Sequence, residues 1–182
     1  MPSLEADFDE LAARLRGPQP RGSDPFYYFI YPSEQALTVK EQLPIWTARL
    51  RNLGLIVERV SLGELLWQVI DASGHCPTWL EFEDGADQQD VNESVRDALR
   101  IRNALVDRVA VVLASPRPNT VVLLTEAELL HPYFRVRSLE SALHDRIKVP
   151  TVVLYLGRRA GQFGLHFLGF YPEDSNYRAT LI

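Results

Sequence analysis

Phe26-Tyr27-Tyr28-Phe29-Ile30-Tyr31 is a run of aromatic and aliphatic residues with no charged or amide side chain to interrupt it. A strand with one wet face alternates apolar and polar residues. An unbroken run instead fits a strand covered on both faces, as in a parallel sheet flanked by helices.

The neighbouring segments support that reading. Downstream, Val39, Leu43, Trp46, Leu50 and Leu53 recur at helical spacing. Thr38 and Glu41 have capping-box spacing, and Gly54 is placed to end the helix. Pro44 stands too deep for an ordinary first turn, so a kink or a later start is expected. Leu55 to Val60 reads as a second strand and Leu62 to Ile70 as another helix. Upstream, Leu4, Phe8, Leu11 and Leu15 mark an amphipathic helix over 4–16, which Gly17-Pro18-Gln19-Pro20-Arg21-Gly22-Ser23 breaks. Such a helix is either a free appendage or a strut packed across the sheet; its apolar stripe favours the strut.

Residues 71–93 change character: Asp71, Glu81, Glu83, Asp84, Asp87, Asp90 and Glu93 occur there with no Lys or Arg. Asn92 is placed to cap a helix from about 93 to 114 with a mixed face of Val95, Leu99, Arg102 and Val106. Val109 to Leu113 reads equally well as a strand, and Pro116 and Pro118 close the segment either way. Val121 to Thr125 is a β-branched strand, followed by a loop through His131-Pro132-Tyr133-Phe134. Ser138 to Ile147 reads as a short helix capped by Ser138, and Val152 to Leu156 as the next strand. Gly157 to Gln162 reads as a turn into a hairpin partner at Leu165 to Phe170.

Strands alternating with helices predict one α/β domain over 1–182: an open, mostly parallel sheet flanked by helices, with a C-terminal antiparallel edge strand. The frame is Rossmann-like or P-loop-like without a phosphate loop. Its 182 residues are enough for a sizeable core, and 46% hydrophobic with 24% charged residues excludes a mainly disordered chain. A net charge of −5 disfavours nucleic-acid binding by charge alone. The single cysteine, Cys76, removes any intramolecular disulfide framework and fits a reducing compartment. Met1 to Asp7 lacks the regions of a signal peptide, and no apolar run reaches the ~20 residues of a membrane span. A soluble cytoplasmic protein is expected.

The positions where an α/β protein usually holds chemistry are unfilled. The first strand-to-helix junction, Tyr31-Pro32-Ser33-Glu34-Gln35, has no glycine or lysine and carries an acid where an anion would sit. Neither G-x-x-x-x-G-K-S/T nor G-x-G-x-x-G occurs. Gly157, Gly161 and Gly164 flank Arg158 and Arg159, but an extended segment follows, so a hairpin turn fits better than a phosphate cradle. His75, His131, His144 and His166 lack metal-ligand spacing, and Cys76 precedes Pro77 inside an acidic segment rather than in the electropositive setting of a reactive thiol. Glu126 and Glu128, just after a strand end, suit acid–base work or magnesium, or simply a solvated helix start. No catalytic residue, metal or cofactor is assigned.

What remains is a pair of basic groups, Arg135 with Arg137 and Arg158 with Arg159, near predicted carboxyl ends of strands, with Arg178 beside them. Tyr133 and Phe134 next to Arg135, and Tyr177 next to Arg178, are aromatic neighbours of the kind that anchor protein interfaces. With acids concentrated in 71–93 and arginines clustered toward the C-terminus, the chain is expected to present surfaces of opposite sign.

The order of these segments resembles the B component, BrxB, of bacterial BREX phage-defence systems. The similar stretches are Pro25 to Tyr31, Val39-Lys40-Glu41-Gln42-Leu43-Pro44, Val122 to Thr125, Pro132-Tyr133-Phe134-Arg135 and Ser138-Leu139. Asn176-Tyr177-Arg178-Ala179 is similar to that family's closing N-Y-x-R-A signature, one residue shortened. The likeness runs over about 4–182, and it departs at Glu126-Ala127-Glu128 and in the middle region. The resemblance implies a small accessory protein without catalytic activity. It would bridge a PglZ-type phosphatase-like protein and other BREX proteins, the BREX ATPase among the candidates, with no membrane and no small-molecule ligand. BREX systems mark host DNA and block replication of unmarked phage. Two rival readings are a nucleotide or phosphate-ester binder using Glu126, Glu128 and the arginines, and a weak DNA-binding subunit.

Overall fold

The computed structural model describes residues 3–18, 25–82, 84–161, 164–175 and 177–182, with Arg102 described by its backbone alone. Met1, Pro2, Gln19, Pro20, Arg21, Gly22, Ser23, Glu83, Gln162, Asn176 and the Arg102 side chain lie outside the described residues.

In chain order the elements are α1 (Leu4–Arg16), β1 (Phe26–Tyr31), α2 (Ala36–Asn52), β2 (Ile56–Ser61), α3 (Leu62–Ser73), α4 (Cys76–Phe82), α5 (Gln88–Arg100), α6 (Ala104–Leu113), β3 (Thr120–Thr125), α7 (Val136–Leu143), β4 (Thr151–Ala160), β5 (Gly164–Phe167) and β6 (Thr180–Leu181). The strands form an α/β sheet in the order β2-β3-β4-β1-β6, parallel throughout, and β5 pairs antiparallel with the far half of β4. The apolar tail thus becomes a parallel edge strand beside β1, held by Ile30 N to Ile182 O at 3.0 Å and Ile182 N to Tyr28 O at 2.9 Å.

The opening run has the double burial its composition predicts. Tyr27, Phe29 and Tyr31 join one core with α1 and α2, while Phe26 and Tyr28 join another under α3, α5, α6 and α7. The two faces are distinct because successive strand residues point to opposite sides. β3 is buried along its whole length, so it too carries apolar residues at every central position.

α1 is a strut. Phe8, Leu11, Ala12 and Leu15 are buried, and the Phe8 ring stacks on Trp46 of α2 at 4.9 Å. Glu5 accepts hydrogen bonds from Trp46 Nε1 at 3.1 Å and from Arg49 at 2.7 Å. α2 begins at Ala36 after a 3-10 turn, so Thr38 lies inside it and the expected capping box does not form. Pro44 is carried within the helix, whose stripe of Val39, Leu43, Trp46 and Leu50 is buried on the sheet. That packing outweighs the proline's missing N–H. The helix closes as a Schellman motif: Gly54 at φ +87 donates to Arg51 O, and Leu55 donates to Leu50 O.

Three further boundaries differ from expectation. Asp87, not Asn92, caps α5, its carboxylate accepting from Gln89 N at 2.8 Å. The predicted 93–114 helix is two helices joined by a 3-10 turn at Ile101–Asn103, and Val109 to Leu113 is helical. α7 starts at Val136, which places Ser138 inside the helix rather than at its cap. β4 also runs on through Gly157 to Ala160, where a turn was expected. A Cβ on Gly157 would come within 2.4 Å of His166 O, so only glycine lets β5 approach there. No described helix is long and apolar enough to cross a membrane.

Candidate docking groove

The loop after β3 turns sharply over the core. Leu130 is fully buried, and its carbonyl accepts from both Tyr133 N and Phe134 N at 2.8 Å. This folds the loop into a tight bend, with a cis bond at His131-Pro132. Arg96 of α5 donates to Pro132 O at 3.1 Å, tying the loop to the neighbouring helix. Tyr133 and Phe134 are half-buried and packed against the core rather than fully exposed.

Beside them, the Arg135 guanidinium lies 3.6 Å from the centre of the Tyr171 ring. Stacked rings continue from Tyr171 to Phe170 at 4.9 Å and to Phe167 at 5.9 Å. His131 bonds the Tyr171 hydroxyl through Nδ1. Burial, with Arg135 and Arg96 nearby, lowers the His131 pKa and so favours the neutral ring.

Between α5 and this loop runs a groove of about 720 Å³. Arg96, Arg100 and Arg135 bring three guanidiniums to it, Glu93 and Asp97 two carboxylates, and Tyr133, Phe134 and Tyr171 its aromatic surface. The size lies within the ~300–1,000 Å³ typical of ligand pockets. Acid and base, expected on separate surfaces, are here interleaved because α5 presents both signs on adjacent turns.

The other residues singled out from the sequence do not converge on the groove. Arg137 turns to Asp174 at 3.8 Å. Tyr177 is buried, its hydroxyl 3.3 Å from that of Tyr155 and its ring 5.2 Å from Tyr28, so it belongs to the core and not to an exposed surface. Burial pushes its pKa up to about 12. Arg178 has an exposed side chain, and its backbone N–H donates to Glu140 at 3.0 Å. Arg158 pairs with Glu34, and Arg159 acts on Asp7 of α1. Alternation along β4 places Arg158 on the face of Leu154 and Leu156, which packs toward α1 and α2, away from the groove.

Arg96, Arg100 and Tyr171 carry no separate signal in the sequence. The first two read as the solvated side of a helix, and Tyr171 lies in a loop 36 or more residues beyond the bend that gathers them. Among the described residues, no three His, Cys, Asp or Glu side chains gather as a metal site. Cys76 is a half-buried free thiol. Glu126 accepts a hydrogen bond from Ser61, and Glu128 pairs with Lys40 at 3.4 Å.

The family model for BREX protein BrxB matches residues 58–182. The chain belongs to the BREX protein BrxB family. It is accordingly a component of a BREX defence system. No curated protein and no solved structure matches it. The BrxB match begins within β2, so it contains the entire groove and also Tyr155 and Tyr177. α1, β1 and α2 precede the matched stretch.

Proposed function

We propose that this BrxB-family protein is a non-enzymatic interaction subunit. It bridges the PglZ-type protein and other BREX components, and the groove between α5 and the Pro132 loop receives the partner. The observation that carries this reading is the juxtaposition of half-buried Tyr133 and Phe134 with Arg96, Arg100 and Arg135 around one opening. Aromatic and arginine side chains in a concave, partly desolvated setting are the residue types that dominate interface energetics. Arginine suits this position because its planar fork both stacks on rings and pairs with carboxylates.

The test is co-purification. Tagged wild-type protein is expected to retain the PglZ-type protein at moderate salt, because aromatic contacts are not screened as charge pairs are. Arg100→Glu is expected to lose it. Failure of the wild type to retain any BREX component overturns the proposal.

A further inference from the structure

A second cavity, of about 150 Å³, lies between α2 and the carboxyl ends of the strands. Tyr31 of β1, Arg59 of β2 and Thr125 of β3 line it from the sheet, Lys40 from α2, and Glu126 and Glu128 from the turn after β3. This is the end of a parallel sheet at which α/β proteins bind ligands.

Two observations separate it from an ordinary packing defect. Thr125 is 2% exposed, and its hydroxyl has no hydrogen-bond partner among the described residues. Glu128 also has a buried oxygen, Oε2, without a partner, while its Oε1 is held by Lys40 at 3.4 Å. Buried polar atoms are nearly always satisfied, and leaving a carboxylate oxygen unmet is costly. Two such atoms lining one cavity call for a hydrogen-bond donor inside it.

Size and charge narrow the ligand. The volume is below the ~300–1,000 Å³ of pockets for nucleotide-sized ligands and equals about five waters at ~30 Å³ each. Glu126 and Glu128 balance Lys40 and Arg59, so a bare cation or anion would leave one charge uncompensated. A ligand bearing both signs would not. Glu128 and Thr125 can hold an ammonium group inside, while Lys40, whose side chain is 60% exposed, and the exposed Arg59 stand at the rim for a carboxylate.

We infer that this cavity is a binding site for a small zwitterion of α-amino-acid type, independent of the docking groove. The test is thermal unfolding and calorimetry of the full chain with glycine, alanine and serine. Methylammonium and acetate serve as single-charge controls. An amino acid at about a hundredfold excess over its Kd is expected to raise Tm by about 5–10 °C, with neither control doing so. Glu128→Gln and Thr125→Val, which keep the side-chain shapes, are expected to fold and to bind at least tenfold more weakly. Three results would overturn the inference: no heat or shift with any of the amino acids, methylammonium binding as well as glycine, or both variants binding like the wild type.

Discussion

The Tyr28 hydroxyl donates a 3.2 Å hydrogen bond to Glu140, linking β1 to α7 across 112 positions of sequence. The same carboxylate accepts from the backbone N–H groups of Arg178 and Ala179 at 3.0 and 2.9 Å. One side chain thus fastens the C-terminal segment to the sheet and to α7. Glu140→Ala is expected to lower stability by about 2–3 kcal/mol, because three donors lose their acceptor. In a chain of this size that is a Tm decrease of about 5–10 °C, measurable by calorimetry. An unchanged Tm would show that solvent replaces the carboxylate without cost.

The same residue sets a pH dependence. Burial raises the Glu140 pKa above the ordinary 4.5, and its hydrogen bonds only partly oppose this. The folded state then holds this proton to higher pH than the unfolded chain does. Stability from this group is greatest below the ordinary value and falls as pH rises through the window up to the raised value. Urea midpoints of wild type relative to Glu140→Gln, followed from pH 4 to 7, are expected to decline across that window. A difference that grows with pH contradicts the assignment.

Tyr177 separates core from interface. Its ring packs against Tyr28 and Tyr155, so Tyr177→Ala is expected to cost about 3–5 kcal/mol. Tyr177→Phe, which removes only the hydroxyl bonded to Tyr155, should cost about 1 kcal/mol. If Tyr177 anchored a partner instead, the alanine variant would lose binding at unchanged stability. Chemical denaturation beside a pull-down distinguishes the two.

Phe8 tests whether α1 is integral to the fold. Its ring is buried and stacked on Trp46, so Phe8→Ala is expected to destabilise by about 3–4 kcal/mol. A free appendage would give no change in the urea midpoint.

The parts of this molecule that were legible in the sequence are those governed by local pattern. β1 announces itself because double burial removes polar alternation, and α1 because Phe8, Leu11 and Leu15 share one face. Caps were less legible: Asp87 and Asn92 both have suitable side chains, and the choice between them depends on where tertiary packing starts α5. Val109 to Leu113 is helical because Val109, Ala110 and Leu113 bury one face against the core, a fact of packing that a short apolar run does not contain. The groove was only half visible. Tyr133, Phe134 and Arg135 are adjacent in sequence, but Arg96 reaches them through Pro132 O and Tyr171 through the Arg135 ring contact, both products of the folded topology. Arg158 resembled part of the same surface because the sequence does not show which side of the sheet a strand end will present.

That division of arginines yields the sharpest test of the docking surface. Arg100 is exposed at the groove, whereas Arg158 is exposed on the other side of the sheet and paired with Glu34. Each can be reversed to Glu with little change to the core, so stability should move by about 0.5 kcal/mol or less. If the partner seats in the groove, Arg100→Glu is expected to weaken binding at least tenfold, equivalent to about 1.4 kcal/mol, while Arg158→Glu leaves it unchanged. Calorimetry with the purified PglZ-type protein measures both. Equal losses would mean that affinity follows net charge, since each reversal changes it by the same amount. A loss confined to Arg158→Glu would place the partner against the α1 side of the sheet instead.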